Sequence, residues 1–475
     1  MNLTDLPDNP PSLLRLRPEL PLIRRVLYLG TFVMLAMVTQ FLVNAADNMM
    51  VGRLEAAEAT ASQAALGLGM PLFWAIGGFF SAISFGTQAM TARRYAEGRS
   101  IRAGQVLFNS ICVAICAGLL GSVIGYFVTP SAVDFLAEAS TRQRELATNY
   151  TQIRSLGIAS LVLTFSYKSF FDGIGRTYVH LVAALSMNAM NIGLNYILIY
   201  GSPAWGVPQL GLEGAALAST ISTYFGAGIM IAVSFRRKYR RRFLFYRLQH
   251  FDTSVIRTIV RLMLPSGSAS VILMTGFLLF MKIVGKLDAA AGADTNTFSA
   301  ATAAIMTTAA LCFMPLLAFG TATATAVSQS LGAGKPNLAA RYGWESVRLG
   351  LLGIVAVGAV FWIFPGEIIS VWAPMDPAVA EAGASSLRLV ATCLPMMVVG
   401  LILSQALYGA GANLYVMVAE GFLHVGVLVP LSWLLGLHLG YGMEGVWMAA
   451  VIYVNCLGIA MGAKFLRRGW RTIRI

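Results

Sequence analysis

Charged side chains are scarce in this chain of 475 residues. Asp, Glu, Lys and Arg make up 12% of it, whereas soluble domains average about 25%. Hydrophobic residues make up 57%, and the mean hydropathy is +0.71. This composition excludes a soluble globular protein and a disordered chain. It indicates a membrane protein with many spans, because each helix that crosses a bilayer needs about 20 apolar residues.

Cysteine is also sparse, and the motifs of common catalytic sites are missing. The five cysteines lie inside apolar runs without CxxC or Cys/His spacing, so we expect neither disulfides nor a metal centre built on them. HExxH, GxSxG and Walker A sequences are absent, so we expect no enzyme and no cofactor. The first 23 residues are polar and rich in proline, and we expect no cleaved signal peptide.

Apolar runs separated by charged or Gly/Pro-rich breaks predict twelve transmembrane helices and an all-α fold. The predicted spans are 26–50, 63–90, 104–128, 152–171, 178–200, 212–234, 262–285, 297–324, 344–364, 386–408, 414–437 and 444–466.

The formal net charge is +13, and the distribution of the basic residues among the loops predicts the topology of the spans. Twelve spans place both termini on one side, and 27 of the 34 Lys and Arg residues fall on that side. The positive-inside rule puts it in the cytoplasm. The densest basic stretch, residues 235–247, is interpreted as a segment beside anionic membrane lipid rather than a nucleic-acid site.

Three pairs of segments indicate an internal repeat. They are Phe85–Thr87 with Phe319–Thr321, Asp172–Gly175 with Tyr408–Gly411, and Gly211–Ala218 with Gly442–Ala449, at offsets of 234, 236 and 231 residues. Three matches in order predict two six-helix halves in a parallel repeat, a plan typical of transporters. The predicted divisions are an arm (1–23), an N-lobe (24–234), a basic linker (235–261), a C-lobe (262–466) and a tail (467–475).

The end of the first span, Asp47-Asn-Met-Met-Val-Gly-Arg53, resembles the D-x-x-x-V-G signature of multidrug and toxic compound extrusion (MATE) transporters. Segments Phe171–Thr177, Asn191–Gly201 and Pro208–Ala218 resemble further family motifs, and Asn195 favours the bacterial NorM-type branch. The resemblance implies two six-helix bundles around a V-shaped cavity. It also implies export of small organic cations and drugs in exchange for H⁺ or Na⁺. We expect a monomer in the bacterial inner membrane.

The first span carries the leading candidates for ion coupling. Gln40, Asn44 and Asp47 are spaced i, i+4, i+7 and share one helix face. An ionisable residue inside a span is costly and is therefore a functional candidate. The resemblance places the family's coupling acid at Asp47. The alternative is that Asp47 only caps the span at the level of the headgroups.

Two amides on the fifth span are candidates to complete this site. Asn191 and Asn195 stack at i, i+4, and their oxygens could join Asp47 around one cation, including Na⁺. Ser219 or Thr220 on the sixth span could add a hydroxyl. The alternative is a structural hydrogen bond between helices.

The C-terminal half departs from the family pattern. NorM-type relatives are expected to carry acids in spans 7 and 10, and this chain has none there. Glu420 and His424 lie one turn apart in span 11. We hypothesise that they pair as a second, pH-sensitive proton site; a structural pair is the alternative. Lys168 is expected to reach the headgroups rather than pair with Asp172.

A flippase for a lipid-linked precursor is the competing function. Such a protein would need basic residues along its cavity to hold pyrophosphate. The predicted spans contain few Lys or Arg residues, so the sequence favours the drug antiporter.

Overall fold

The computed structural model describes residues 6–11, 18–136, 141–292, 296–374 and 376–475. In this part of the chain the secondary structure is helical, and one isolated β-bridge joins Ser202 to Val207. The α-helices are α1 (Leu20–Val51), α2 (Ala56–Ser81), α3 (Ile83–Ala96), α4 (Ser100–Leu136), α5 (Thr141–Leu156), α6 (Ile158–Gly173), α7 (Tyr178–Tyr200), α8 (Gly211–Phe235), α9 (Arg237–Phe243), α10 (Thr253–Ala291), α11 (Thr297–Gly332), α12 (Pro336–Ile363), α13 (Pro365–Trp372), α14 (Pro377–Ala410), α15 (Asn413–Leu423), α16 (Val429–Ser432) and α17 (Gly442–Leu466).

The predicted all-α membrane fold is confirmed. Within the described ranges, 11 helical segments are long and apolar enough to cross a membrane. The remaining predicted span, 152–171, is shared between α5 and α6, which are 16 residues each and meet at Gly157. Each half is too short to span a bilayer alone, since about 20 residues are needed.

The internal repeat is visible in two equivalent hydrogen bonds between side chains, one in each half of the chain. The Thr87 and Ser110 hydroxyls are 2.7 Å apart, and Thr323 donates to Ser346 at 2.7 Å, 236 residues later. All four side chains are buried. The offset equals that of the segments beginning at Asp172 and Tyr408 in the sequence.

The starts of α8 and α17 share the same backbone geometry, which also reflects the repeat. Gly211 and Gly442 open these helices with φ of +55° and +58°, a backbone region that glycine enters without steric cost. A Cβ added at Gly214 would lie 2.4 Å from the Leu198 carbonyl oxygen, and one at Gly445 would lie 2.6 Å from that of Leu435. Both helices therefore begin in close contact with a preceding backbone.

The chain forms two compact units. The N-unit comprises Phe32–Val271 with Ile475, and the C-unit comprises the residues up to Thr31 with Ile272–Arg474. The division passes inside α1 and α10, and not through the basic segment 235–261. The predicted lobes, 24–234 and 262–466, therefore differ from these units at both helices, because the first part of α1 packs with the C-unit.

The basic segment is fixed to the N-unit by aromatic rings. Phe243 and Phe245 each lie 5.1 Å from the ring of Phe170, and Tyr239 lies 5.3 Å from the ring of Phe171. Tyr239, Phe243 and Phe245 are buried. This segment is therefore a packed part of the N-unit rather than an extended linker.

The N-terminal arm is fixed to the C-unit by a polar network that we call the arm clamp: Glu19, Arg341 and Glu345. Arg341 donates from Nε to Glu19 Oε1 at 3.0 Å, and the Glu19 amide donates to Glu345 Oε2 at 3.0 Å. Ahead of it, Asp8 Oδ1 accepts from the Leu338 amide at 2.7 Å, which caps the first turn of α12. The arm therefore holds the beginning of α1 to α12.

Candidate functional site

Helix α1 presents the predicted polar face to the interior of the N-unit. The Asp47 side chain is 9% exposed, and Gln40 and Asn44 are half-buried. Gln40 Nε2 donates to Asn44 Oδ1 at 3.2 Å. The three side chains thus lie along one face of α1, and the acid is the most buried of them.

Helix α7 brings the predicted amides to Asp47. Asn195 Nδ2 donates to Asp47 Oδ1 at 2.5 Å across 148 residues of sequence. It also lies 3.2 Å from Asn191 Oδ1, one turn earlier. Asn191 and Asn195 are 3% and 0% exposed. Asp47 is therefore hydrogen-bonded to a residue of another helix, α7.

The amide of Asn191 fits two orientations. In one, Nδ2 donates to Ser219 Oγ at 3.1 Å and the oxygen accepts from Asn195. In the other, Nδ2 donates to Asp47 Oδ1 at 3.0 Å and the oxygen accepts from Ser219. Asn191 therefore offers either a donor or an acceptor to the carboxylate.

The structure distinguishes the two candidate hydroxyls. Ser219 contacts Asn191 and Asp47. Thr220 donates to the Ile153 carbonyl oxygen at 3.1 Å, so its hydroxyl is engaged with α5 instead. Ser219, and not Thr220, belongs to the Asp47 cluster, which we define as Asp47, Asn191, Asn195 and Ser219.

Sequence reasoning missed a guanidinium beside this cluster. Arg154 on α5 is close enough to act electrostatically on Asp47, and its guanidinium carbon lies 4.2 Å from the centroid of the Phe73 ring. A guanidinium cation near a carboxylate stabilises its negative charge. The signal was present in the sequence, because Arg154 falls inside the predicted span 152–171.

A cavity adjoins the cluster within the N-unit. It measures about 260 Å³, and its lining includes Asn44, Asp47, Gln63, Met70 and Tyr150. The volume accommodates several water molecules. A small ion therefore has space beside the carboxylate.

A further buried amide on α7 was also missed. Asn188 is 5% exposed, and within the described ranges neither its oxygen nor its nitrogen has a hydrogen-bond partner. Its spacing of i, i+3, i+7 with Asn191 and Asn195 could have revealed it.

In the C-unit, the predicted pairing of the Glu420 carboxylate with His424 is wrong. His424 Nδ1 lies 2.9 Å from the main-chain oxygen of Glu420, so the ring donates to a carbonyl. A π-helical segment begins at His424, after α15 ends at Leu423. The carboxylate instead accepts from the Tyr408 hydroxyl at 3.4 Å, and the His424 ring packs 4.4 Å from that of Tyr453.

The expectation for Lys168 is also wrong. Its Nζ lies 2.7 Å from Asp172 Oδ2, and the Asp172 side chain is fully buried. An ion pair one turn apart satisfies the buried acid better than a lysine directed to the headgroups.

Comparison with known proteins places the chain in a family. The MatE family model matches residues 33–197 and 265–434, more than half of the chain. The multidrug resistance protein PmpM of Pseudomonas aeruginosa is 26% identical over 97% of this chain and 94% of its own length. A probable multidrug resistance protein NorM of Rhizobium meliloti is 27% identical over 95% of this chain and 93% of its own length.

Solved structures show the same fold. A MOP superfamily transporter from Pyrococcus furiosus superposes with a TM-score of 0.84 at 20% identity, covering 95% of this chain and 97% of the other. A mutant form of the Vibrio cholerae MATE transporter VcmN gives a TM-score of 0.82 at 18% identity over 94% and 97%. The motifs, the helical fold and the family match agree, and the chain belongs to the MATE family.

Proposed function

We propose that this protein is a secondary active multidrug efflux transporter that exports small organic cations by antiport with H⁺ or Na⁺. Membership of the MATE family and the names of the relatives support drug export. The observation that carries the coupling is the buried hydrogen bond between Asp47 and Asn195. An ionisable side chain inside a membrane span is costly, which makes this carboxylate a candidate for binding an ion.

A proton fits the cluster through the two orientations of Asn191. The ionised carboxylate accepts from the Asn191 nitrogen at 3.0 Å. A proton on Asp47 Oδ1 turns the acid into a donor, and the amide then presents its oxygen. When the Asn191 nitrogen faces Asp47 it also lies 3.2 Å from Asn195 Nδ2, so a change in the protonation state of Asp47 would involve both amides.

Sodium fits the same cluster through oxygen atoms. Na⁺ is a hard cation, and hard cations prefer carboxylate and amide oxygens. Asn195 Oδ1 is buried and has no hydrogen-bond partner among the described residues. Asp47, Asn191 and Asn195 would supply these oxygens after the amides rotate. The adjoining cavity of about 260 Å³ gives the ion space.

Alternating access links this ion to the drug. We propose that two six-helix lobes expose a shared cavity to each side in turn. Binding of H⁺ or Na⁺ at Asp47 stabilises one state, and binding of the organic cation stabilises the other. We further propose that a single chain works in the bacterial inner membrane with both termini in the cytoplasm.

Efflux from proteoliposomes tests the function. The purified protein is reconstituted with a fluorescent organic cation inside, and a proton gradient or a Na⁺ gradient is imposed alone. Efflux that accelerates under one gradient and stops when that gradient is collapsed supports antiport and identifies the ion. Efflux that ignores both gradients contradicts it. Movement of a labelled lipid-linked pyrophosphate in place of the dye would favour the flippase.

We also propose that Glu420 is a proton site in the C-unit. Tyr408 donates to its carboxylate from α14, and Tyr453 on α17 packs against His424 beside it. Within the described ranges no Lys or Arg forms an ion pair with this carboxylate. A Glu420→Gln variant should shift or flatten the pH profile of transport, whereas Glu367→Gln, an exposed acid of the same unit, should not. An unchanged profile in Glu420→Gln refutes this site.

A further inference from the structure

We infer that a basic pocket on the N-unit binds an anionic phospholipid through its phosphate. The pocket is formed by α9 and the turn that follows it, has a volume of about 630 Å³, and is lined by four arginines and several aromatic residues. The arginines are Arg237, Arg240, Arg241 and Arg247. Export through the Asp47 cluster makes no use of this pocket, so the two proposals fail independently.

Among the described residues no acid compensates the charge of the pocket. Its lining contains no Asp or Glu. Within the described ranges none of the four arginines forms an ion pair. All four side chains are exposed. Four arginines that line one pocket without a carboxylate favour an external anion, and phosphate is an anion that arginine binds with two parallel hydrogen bonds.

The wall of the pocket is fixed in place. The Tyr246 hydroxyl lies 2.8 Å from that of Tyr167, and its ring stacks on Phe235 with 4.7 Å between centroids. Phe245 is fully buried. Leu244 has φ of +50°, a conformation that is uncommon for a residue other than glycine. The turn is therefore held by its contacts, and little ordering is needed when a ligand binds.

Exposed apolar side chains close in sequence to the arginines decide the class of ligand. Phe235, Leu248 and Phe251 are 50%, 87% and 56% exposed. The pocket directly follows α8, a helix long and apolar enough to cross the membrane. An acyl chain covers such side chains, whereas free phosphate or a nucleic acid leaves Leu248 in water. The arrangement of basic and apolar groups at the end of a span therefore fits an anionic phospholipid.

Lipid binding to the full-length protein tests the inference. The purified transporter is titrated in neutral detergent with a fluorescent phosphatidylglycerol, and with phosphatidylcholine of the same chains. The pocket variant carries Arg240→Gln, Arg241→Gln and Arg247→Gln. The matched control carries Arg467→Gln, Arg468→Gln and Arg474→Gln, which remove the same charge from exposed positions of the tail.

The pocket variant should bind phosphatidylglycerol about a hundredfold more weakly, from about fivefold for each arginine. The tail variant should bind as the wild type does, and phosphatidylcholine should bind weakly to all three proteins. Should the triple variant not fold, Arg241→Gln alone should lose about fivefold.

Three outcomes overturn the inference. Equal loss in the pocket and tail variants would mean that net charge alone attracts the lipid. Displacement of phosphatidylglycerol by inorganic phosphate at millimolar concentration would identify a site for the free anion. Stronger binding of a single-stranded RNA oligonucleotide than of the lipid would identify a nucleic-acid surface.

Discussion

Breaking the arm clamp should release the N-terminal arm and the start of α1 from the C-unit. The perturbation is Arg341→Gln, which removes the cation that pairs with the Glu19 carboxylate. The side chains of Arg341 and Glu19 are 8% and 13% exposed. The same arginine also donates to the Pro7 carbonyl oxygen at 2.7 Å. One substitution therefore removes both an ion pair and a tether of the arm.

The magnitude follows from the burial of the pair. Removing one partner of a buried ion pair costs about 3–5 kcal/mol, whereas an exposed pair contributes about 0.2–1 kcal/mol. Because the Glu19–Arg341 pair retains some contact with water, we expect the low end, about 3 kcal/mol. That value corresponds to about a hundredfold change in the opening equilibrium of the clamped segment.

Hydrogen exchange of the full-length protein measures this opening. Amides of residues 18–30 should exchange about a hundredfold faster in Arg341→Gln. Arg142→Gln is the matched control, because the Arg142 side chain is 53% exposed in its pair with Glu58, and it should change exchange less than about fivefold. The double variant Glu19→Gln with Arg341→Gln should be less affected than the sum of the singles. Strict additivity would refute the pair.

Three further predictions concern single positions. Gly214→Ala should lower the melting temperature of the protein, because its Cβ would meet the Leu198 carbonyl oxygen at 2.4 Å. Gly228→Ala on the same helix has open space and should be neutral or stabilising. Equal melting temperatures of the two variants would contradict the close contact at Gly214. Ser219→Ala should impair ion-driven efflux more than Thr220→Val does, since only Ser219 contacts Asn191, and the opposite order would reassign the hydroxyl. Hydrogen bonds from the Ser254 amide and hydroxyl lower the pKa of Asp252 below its ordinary 3.8. The stabilisation of the start of α10 should therefore be present above about pH 4 and lost as the pH falls through the lowered pKa, and Asp252→Asn should abolish this dependence in hydrogen exchange of α10.

The sequence predicted the fold class well because hydropathy alone defines most membrane helices. The apolar runs correspond to the long helices, and the repeat reappears in the Thr87–Ser110 and Thr323–Ser346 hydrogen bonds. Span 152–171 was harder, because its helix is interrupted at Gly157. Packing set the boundaries of the units, and the arm clamp that draws α1 towards the C-unit joins residues more than 300 positions apart.

The candidate site was predictable only in part. Helical spacing placed Asn44 near Asp47, and the stacked amides Asn191 and Asn195 were candidates to join Asp47 around one cation. Spacing could not choose between Ser219 and Thr220. Neighbouring residues on a helix differ by about 100° in direction, and the sequence does not say which of the two directions faces α7. It also failed for Glu420 and His424, since a π-helical segment begins at His424 and the ring bonds the backbone instead.

The central claim is that the carboxylate of Asp47 carries the coupling ion. The most direct measurement compares gradient-driven dye efflux from proteoliposomes containing wild type, Asp47→Asn and Asp134→Asn, an exposed acid of the same unit. The account predicts that Asp47→Asn loses its response to both H⁺ and Na⁺ gradients while still binding the dye, and that Asp134→Asn behaves as the wild type does. Gradient-driven efflux at the wild-type rate in Asp47→Asn would contradict the account.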